Sequence, residues 1–529
     1  MIKKTDLPEQ LRDDIENKDI DLELSLSILN RYNAGGFDHI EPVKVSRLPG
    51  INGENIISLE QKGPRRFIKK TVEERLEHIG WKGSLQNFAQ EDGDELVFSC
   101  RGLELLGISL FPFTAFGILN GGSATSYLDE KKNSSFNREL FSRCRKYFEK
   151  TSEQYYGVSK GLLPAFYQQN GEDGPSFLEL KMRNILLRIL QYSVYCETFS
   201  IPLEEEVLFP FFQMTSVKNN EEILRAYGTY SESSTIKELI EYTGTPITDA
   251  VTGIQPLITA YTHSREGRPK NLFTKAFGEV HSVLPLPGGH GQNFAVLKEI
   301  YSDLHTRGKR FAYLGNVDNL GFTINPGAIA LLALTGREGG FEFSFKTPVD
   351  VKGGILVYDQ KGRLNCADIG PAISKEDVDN EEKKGKKILF NCATGLFNLE
   401  YLTEFADTII QDLPTRFSDQ EKDAGFYSQA EQVTWEILGM MDESLIFGVE
   451  KYDRFLSAKI VLESYMTSGI GADEPGTDEA LRAITGKLYR GLKNKLSRDF
   501  GMKEDKGKWI PKSAKELISE FRSFFQKGD

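Results

Sequence analysis

Paired cysteines, long apolar runs and an excess of positive charge are all missing from this sequence. Its 5 cysteines lie far apart, with no Cys-x-x-Cys pair, so we expect neither a zinc site nor a disulfide framework. No apolar run approaches the roughly 20 residues that a membrane-spanning helix needs. The opening residues are polar and lack the apolar core of a signal peptide. We therefore expect a cytoplasmic protein that does not enter a membrane.

The net charge of −12 argues against a general affinity for nucleic acid or anionic membranes. Any phosphate site must then be a local concentration of lysines and backbone N–H groups. The length of 529 residues, with 39% hydrophobic residues, is sufficient for two or three globular domains with their own cores.

The segment 308–326 is the most informative stretch of the chain. A short apolar run, Phe311 to Leu314, breaks into Gly-Asn-Val-Asp-Asn, which is typical of a buried strand that ends in a polar turn. In an open α/β sheet, ligands bind at the carboxyl ends of parallel strands. Asp318 is therefore a candidate metal-binding carboxylate. The alternative is that Asp318 and Asn319 cap a helix that begins near Leu320.

A second candidate is the glycine-rich turn that follows residues 103–119. These residues are largely apolar and predict a buried strand that leads into Asn120, Gly121 and Gly122. Glycines allow several backbone N–H groups to approach a nucleotide closely. Taken alone, the pattern is equally typical of an ordinary turn.

Segments 207–216 and 283–292 also run from a predicted strand into a loop. The first contains Met214, and the second places His290 between glycines, where the imidazole can contact a planar ligand. Strands are also predicted at 341–350, which alternates as a half-buried strand does, and at 388–391.

Charged segments fill the spaces between these strands. The run 375–387, acidic and then basic, predicts a solvated loop or hairpin, whereas helices are predicted around 137–150, from Phe177 onward, at 479–496 and at 513–525. The repeated order of strand, polar loop and helix predicts an α/β fold with a mostly parallel sheet.

Taken together, these loops resemble the eukaryotic UTP-glucose-1-phosphate uridylyltransferases, also called UDP-glucose pyrophosphorylases. The resemblance to the UDP-N-acetylglucosamine pyrophosphorylases is more remote. The resemblance to the uridylyltransferases covers residues 103–465 and rests on several motifs in that family's order. These are Leu-Asn-Gly-Gly-x-x-Thr-Ser at 119–126, Gly-His-Gly at 289–291, Asn-x-Asp-Asn-Leu-Gly at 316–321, Lys-Thr-x-x-Asp-x-Lys-Gly-Gly at 346–354 and Arg-Phe-Leu-x-x-Lys at 454–459.

The resemblance implies a Rossmann-like, GT-A-like nucleotidyltransferase fold, in which helices flank a mixed, mostly parallel sheet. Residues 1–102 would be an N-terminal region of helices and loops that braces the main domain. Residues 103–453 would be the nucleotidyltransferase domain. Residues 454–529 would form a mostly helical C-terminal region, unlike the β-helical domain that often ends eukaryotic relatives, so the sequence leaves the oligomeric state open.

The family's reaction joins UTP and glucose 1-phosphate into UDP-glucose and expels pyrophosphate, with Mg²⁺ as the cofactor. The resemblance implies that Asp318 holds this Mg²⁺ and that Lys160 and Lys459 contact the phosphates. The implied nucleotide-binding residues are Leu119, Asn120, Gly121, Gly122, Met214, Gln255, Gly289, His290 and Asn316. The implied sugar-binding residues are Gly353, Gly354, Asp368 and Asn391.

The catalytic lysine is where the chain departs most from the family. In the family a lysine follows the glycine-rich loop within about one turn of chain, whereas here the matching context, Ser-Lys-Gly-Leu-Leu-Pro, begins at Ser159. We interpret 127–156 as an insertion and Lys160 as the lysine, with Lys131 or Lys132 as the alternative.

Smaller departures leave the substrate and the activity open. Ala124 replaces a glycine, Gln292 replaces an aspartate, and Asp368 stands where the family usually has glutamate. The complete motif at 346–354 favours glucose, whereas Gln213 to Ser216 resembles the N-acetylglucosamine branch. One alternative is therefore an enzyme for UDP-N-acetylglucosamine or several UDP-sugars. Another is a nucleotide-sugar-binding regulator without catalysis.

Overall fold

The computed structural model describes residues 1–203, 208–347, 350, 352–471 and 478–526. The helices are α1 (Glu9–Asn17), α2 (Leu22–Asn33), α3 (Lys69–Ile79), α4 (Cys100–Ser109), α5 (Glu130–Phe136), α6 (Arg138–Tyr155), α7 (Phe177–Phe199), α8 (Asn220–Tyr230), α9 (Lys237–Thr243), α10 (Asn293–Val296), α11 (Lys298–Thr306), α12 (Pro326–Thr335), α13 (Lys375–Lys383), α14 (Leu399–Glu404), α15 (Ala406–Asp412), α16 (Lys451–Arg454), α17 (Val461–Thr467), α18 (Glu479–Arg498) and α19 (Ala514–Gln526). Within these ranges, no helix combines the length and the apolar character that crossing a membrane requires.

Within the described residues, the strands form one large sheet and four small ones. They are β1 (Ile56–Ser58), β2 (Arg65–Ile68), β3 (Ala89–Asp92), β4 (Glu95–Phe98), β5 (Thr114–Leu119), β6 (Phe211–Ser216), β7 (Val251–Gln255), β8 (Leu257–Thr259), β9 (Tyr261–Thr262), β10 (Pro285–Pro287), β11 (Phe311–Asn316), β12 (Gly339–Phe345), β13 (Gly354–Tyr358), β14 (Leu364–Asp368), β15 (Leu389–Asn398), β16 (Thr415–Lys422), β17 (Gly425–Gln432), β18 (Ser444–Val449), β19 (Met502–Asp505) and β20 (Lys508–Pro511).

The central sheet has the strand order β1-β18-β12-β15-β11-β5-β6-β7, and β13 joins β15 and carries β14. Every neighbouring pair along this order is parallel except those of β15, which runs antiparallel to β11 and β12. Helices flank the sheet, and its inner strands are buried apolar runs because they are covered on both faces. The predicted mixed, mostly parallel α/β fold is confirmed.

Two predicted strands differ from the observed elements. Residues 100–109 are helical, because the Ser99 hydroxyl caps the helix by accepting a 3.0 Å hydrogen bond from the Gly102 N–H, and the strand begins only at Thr114. The strand in 283–292 lies outside the central sheet and pairs only with β8. Its two prolines, Pro285 and Pro287, lack the N–H groups that an inner strand must donate.

Other expectations change at the central strands and near the surface. Strand β12 is buried on both faces rather than one, because it lies inside the sheet. The predicted strand at 388–391 continues to Asn398 and runs antiparallel to its neighbours. Segment 375–383 is a helix capped by Ser374 rather than a loop. In segment 207–216 the strand begins at Phe211, and residue 207 lies outside the described residues.

Helix α7 joins the middle of the chain to residues after 499. Arg183 on this helix is buried, and its guanidinium donates to the carbonyls of Phe500 at 2.6 Å, Gly501 at 2.9 Å and Lys512 at 3.1 Å. Helix α19 packs on the same helix. The domain boundaries drawn from the sequence stay predictions, but the C-terminal elements clearly cover this helix.

The segment 127–156, which we interpret as an insertion, consists mainly of α5 and α6. The buried Asn133 side chain donates to the Tyr127 carbonyl at 3.0 Å and accepts from the Leu462 N–H at 3.2 Å. A second contact joins Thr151 to Tyr465 at 2.8 Å. These two helices therefore pack against α17, the helix that follows Lys459.

Candidate active site

Four parallel strands bring the predicted nucleotide loops to one edge of the sheet. Leu119 on β5 stands in register with both Met214 on β6 and Asn316 on β11. The Asn120 N–H donates to the Met214 carbonyl at 2.8 Å, and the Val317 N–H donates to that of Leu119 at 3.2 Å. The turns after these strands therefore begin at the same level.

The glycine-rich turn is anchored by the buried side chain of Asn120. The side-chain amide of Asn120 donates to Gln213 Oε1 at 3.2 Å, and the main-chain carbonyl of Asn120 accepts from Asn219 Nδ2 at 2.8 Å. Beyond this anchor Gly121 is partly buried and Gly122 is exposed. A β-carbon on Gly121 would lie 3.3 Å from Gln255 Oε1, so the turn passes close to the end of β7.

Lys160 lies beside the glycine-rich turn and reaches Asp318. Its backbone N–H donates to the Gly122 carbonyl at 3.0 Å, and its Nζ lies 2.6 Å from Asp318 Oδ2. The two side chains are 25% and 13% exposed, so this ion pair faces a partly open space rather than the core. No helix begins at Leu320; the next starts at Pro326 with Asn325 as its cap, so the helix-cap interpretation of Asp318 is wrong.

Lys459 approaches the same turn from the C-terminal side. The Leu320 N–H donates to the Leu456 carbonyl at 3.0 Å, which fixes the segment 454–459 against the turn of Asp318. Lys459 is exposed, and within the described residues its ammonium has no hydrogen-bond or ion-pair partner. This cation is thus available to a ligand.

Gln255 and Gly289, two residues predicted to bind the nucleotide, lie next to each other. The Gln255 side-chain amide donates to the Gly289 carbonyl at 2.7 Å and to Gln292 Oε1 at 2.8 Å. Gly289 has φ 81°, and a β-carbon there would lie 2.3 Å from the Gln432 carbonyl oxygen, so only glycine fits. The Met214 side chain is buried in the core beneath this region.

His290 is held as a neutral imidazole. Its Nδ1 accepts from the Thr434 N–H at 3.1 Å, so the ring proton is on Nε2. The His290 carbonyl accepts from Asn293 Nδ2 at 2.9 Å, which fixes the backbone of the same turn. Burial lowers the pKa of His290 to about 4.

We expect this imidazole to make folding stability fall as pH drops from 6.5 to 4. In that window His290 binds a proton in the unfolded chain, where its pKa is about 6.5, but stays neutral in the folded chain. Protonation therefore favours the unfolded state. The full difference is about 3 kcal/mol. Denaturant unfolding of wild type and His290→Gln across this range measures it, with the exposed His39→Gln as the control. Parallel curves for wild type and His290→Gln would contradict the assignment.

The predicted sugar residues meet where β13, β14 and β15 pair. Gly354 is in register with Asp368, and a β-carbon on Gly354 would lie 3.7 Å from both Asp368 Oδ1 and the Asn391 β-carbon. Gly353 has φ 134°, and an added β-carbon would lie 2.6 Å from the ring of Phe390. A β-carbon on Gly354 would also lie 2.5 Å from Cys366 Sγ, so neither position has space for a side chain, and both glycines lie beside one carboxylate and one amide.

Sequence reasoning missed Arg416 and Glu436 beside this group. Arg416 Nη1 lies 3.3 Å from Asp368 Oδ2, and its Nη2 pairs with the buried carboxylate of Glu436. No local pattern indicates this contact, because Arg416 lies in the charged hairpin β16–β17 and reaches Asp368 only in the folded chain.

The Lys346–Gly354 motif divides between structure and site. Lys346 pairs with Glu382 at 2.7 Å, and Asp350 pairs with the buried ammonium of Lys451. Residues 348, 349 and 351 of the motif lie outside the described residues. The ion pairs account for two of the charged positions of this motif, and its two glycines lie among the predicted sugar-binding residues.

The donor set at Asp318 is compatible with Mg²⁺. Among the described residues, no cluster of three histidine, cysteine, aspartate or glutamate side chains could hold a metal alone. Mg²⁺ commonly binds through one or two carboxylates, with substrate phosphates and water as the other ligands. The partly exposed Asp318, paired with Lys160, fits that kind of site.

The fold is a mixed, mostly parallel α/β sheet flanked by helices, with a candidate active site at the edge where these loops meet. Residues 273–460 match the family described as UTP--glucose-1-phosphate uridylyltransferase. The family resemblance drawn from the motifs is therefore confirmed.

Curated relatives agree with this match over short segments. A probable UTP--glucose-1-phosphate uridylyltransferase of Schizosaccharomyces pombe is 37% identical over 81 residues, which is 15% of this chain and 16% of the relative. The enzyme of Hordeum vulgare is 26% identical over 175 residues, 33% of this chain and 36% of the relative. The matches thus span no more than about a third of these relatives' length.

A solved structure extends the likeness of fold. The crystal structure of UDP-glucose phosphorylase from Trypanosoma brucei aligns with a TM-score of 0.50 at 17% identity, covering 89% of this chain and 80% of the other. The central sheet and its flanking helices thus follow an architecture seen in that enzyme.

Proposed function

We propose that the protein is a uridylyltransferase that forms UDP-glucose and pyrophosphate reversibly from UTP and glucose 1-phosphate. The observation that carries the proposal is the 2.6 Å pair of Lys160 and Asp318, which joins the glycine-rich turn to the end of β11. The match of residues 273–460 to the uridylyltransferase family supports it. We also propose a cytoplasmic location, where the five cysteines would stay reduced.

In this reaction a phosphate oxygen of glucose 1-phosphate attacks the α-phosphorus of UTP, and the bond from that phosphorus to the bridging oxygen of pyrophosphate breaks. The attacking oxygen is already anionic, so no general base is needed. What the site must do is align the two groups and offset the repulsion between their charges. We assign this task to Lys160, which pairs with Asp318, and to Lys459, whose segment is bonded to the Asp318 turn through Leu456.

Asp318 would hold Mg²⁺, which when bound neutralises phosphate charge and orients the phosphate oxygens. Gly121 and Gly122 would bring the backbone close to the nucleotide phosphates, with Leu119, Asn120 and Asn316 at the base of these turns. Met214 beneath the base, Gln255, Gly289 and the Nε2–H of His290 would contact uridine. The sugar would lie against Gly353, Gly354, Asp368 and Asn391.

The alternatives remain an enzyme for UDP-N-acetylglucosamine or several UDP-sugars and a binding regulator without catalysis. Asp368 is shorter than the glutamate usual in the family and is held by Arg416, which leaves its carboxylate in place for sugar hydroxyls. The unpaired Lys459 argues against the regulator, because an exposed cation at this position has no structural partner among the described residues.

The test is pyrophosphate release from UTP by purified protein with Mg²⁺, comparing glucose 1-phosphate with N-acetylglucosamine 1-phosphate. We expect kcat/KM to favour glucose 1-phosphate by at least about tenfold, the discrimination that one unfavourable group in a shaped pocket provides. Equal or reversed preference would identify the broader or the N-acetylglucosamine enzyme. Binding of UDP-glucose without any turnover would identify the regulator.

A further inference from the structure

We propose that Asn319 is a positioning residue that fixes the metal-binding turn, the Lys459 segment and the sugar-binding strand relative to one another. The proposal rests on the proposed function, since it assigns Asp318, Lys459 and Asn391 their roles. It concerns a side chain that touches no substrate group and that the sequence indicates only as a possible helix cap.

The Asn319 side chain is completely buried and completely bonded. Its Nδ2 donates to the carbonyls of Cys392 and Arg454, both at 3.2 Å, and its Oδ1 accepts from the N–H groups of Gly321 at 2.9 Å and Leu456 at 3.0 Å. A primary amide has two donor hydrogens and two acceptor lone pairs. All four are used here, and every partner is backbone.

The four partners belong to three segments that each carry a proposed ligand contact. Gly321 lies in the turn of Asp318, Leu456 is three residues before Lys459, and Cys392 follows Asn391. The Asn319 main chain also pairs with Ser457 as an isolated bridge. One amide therefore connects the metal carboxylate, the phosphate lysine and the sugar asparagine.

The surroundings make this junction stiff. The Arg454 guanidinium donates to Glu342 Oε2 at 2.9 Å and to Thr323 Oγ1 at 2.8 Å, deep in the core. A β-carbon on Gly321 would lie 2.1 Å from the Arg454 carbonyl carbon, so the two segments are in direct backbone contact. Close-packed backbone of this kind cannot adjust to fill a missing amide.

A buried lysine supports the turn from below. Lys181 on α7 donates to the carbonyls of Asn319 at 2.5 Å and Phe322 at 2.6 Å. It contacts the turn alone and neither of the other two segments among the described contacts. Lys181 therefore sets the shape of the turn, and Asn319 sets where the Lys459 segment and β15 lie relative to it.

Two substitutions of Asn319 disturb its hydrogen bonds in different ways. In Asn319→Asp the carboxylate still accepts from Gly321 and Leu456 but turns an oxygen toward the carbonyls of Cys392 and Arg454, which repel it. In Asn319→Ala all four backbone groups lose their partner, and each unsatisfied group weakens the packing of its segment. Both changes let Lys459 shift relative to Asp318.

We expect both variants to lower kcat by about 100-fold, the usual cost of a misplacement near 1 Å. KM for UTP should stay within about threefold of wild type, because the uridine contacts lie on other loops. Asn184→Ala is the matched control: it removes another fully buried amide, which donates to the Asp499 carbonyl at 2.7 Å and accepts from Ile324 at 3.1 Å. It should lose thermal stability and keep kcat.

Hydrogen–deuterium exchange tests the junction without relying on activity. In Asn319→Asp we expect faster exchange at 317–322, 392–395 and 454–459 together, and in Asn184→Ala at none of these. Asn319→Asp preserves side-chain size, so it is the variant to use if Asn319→Ala does not fold.

The outcomes separate this inference from the proposed function. An inactive wild type with coupled exchange changes would reject the enzyme and keep the junction. An active wild type whose Asn319→Asp variant retains kcat and exchanges like wild type would overturn the junction. A fall in kcat with exchange confined to 317–322 would also overturn it, because only the turn would then depend on Asn319.

Discussion

Replacing Lys160 by alanine is expected to lower the rate of pyrophosphate release by about a thousandfold. Lys160 is the cation that the fold brings within 2.6 Å of Asp318 and against the glycine-rich turn. Its removal would leave phosphate charge unscreened at the point where pyrophosphate departs. Stopped-flow or coupled measurement of pyrophosphate at saturating UTP gives the effect on kcat.

The variants Lys131→Ala and Lys132→Ala test the two alternative lysines. Lys131 is exposed on α5, and Lys132 reaches the Ser126 hydroxyl of the glycine-rich loop. We expect Lys131→Ala to match wild type and Lys132→Ala to lose far less than Lys160→Ala. A larger loss in Lys132→Ala would transfer the role to α5 and reject the interpretation of 127–156 as an insertion before the catalytic lysine.

Asp318→Asn is expected to lower kcat by a similar factor, about a thousandfold, because a Lewis-acid ion at the phosphates contributes several kcal/mol. The amide keeps the shape of the side chain but loses the charge that attracts both Mg²⁺ and Lys160. The half-saturating Mg²⁺ concentration should therefore rise as well. Titration of activity with Mg²⁺ measures both quantities in one experiment.

Asp303→Asn provides the comparison for this variant, since its exposed carboxylate forms an ordinary helical pair with Arg307. It should follow the wild-type Mg²⁺ curve. If Asp318→Asn also follows that curve, then Asp318 serves Lys160 alone and the metal is held elsewhere.

The elements that could be predicted from the sequence are those with local signals. Strand β11 is an apolar run that ends in a polar turn, and helix α7 shows apolar spacing, so both lie close to where the sequence places them. The helix at 100–109 was mistaken for strand because its apolar residues run without a clear period and its signal, the cap Ser99, precedes them.

Contacts between distant segments could not be predicted in the same way. The Lys160–Asp318 pair joins residues 158 apart and was expected only through family motifs. The four hydrogen bonds of Asn319 go to backbone atoms, which every residue type has. Arg416, which pairs with Asp368, lies in a hairpin rich in charged residues, so its residue type does not indicate this contact. Such contacts depend on strand order, and the sheet of this protein brings β11 beside β15 although the 72 residues 317–388 lie between them in sequence.

The contacts of Arg183 have a consequence for how the chain acquires its structure during synthesis. This buried cation on α7 needs carbonyl groups that belong to residues 500–512. A ribosome adds about 5–20 residues per second, so α7 waits roughly 15 to 60 seconds after its own emergence before those partners exist. During that interval the face of α7 on which the C-terminal elements pack remains exposed, and we expect nascent chains stalled before residue 500 to be bound by chaperones, whereas longer chains are released.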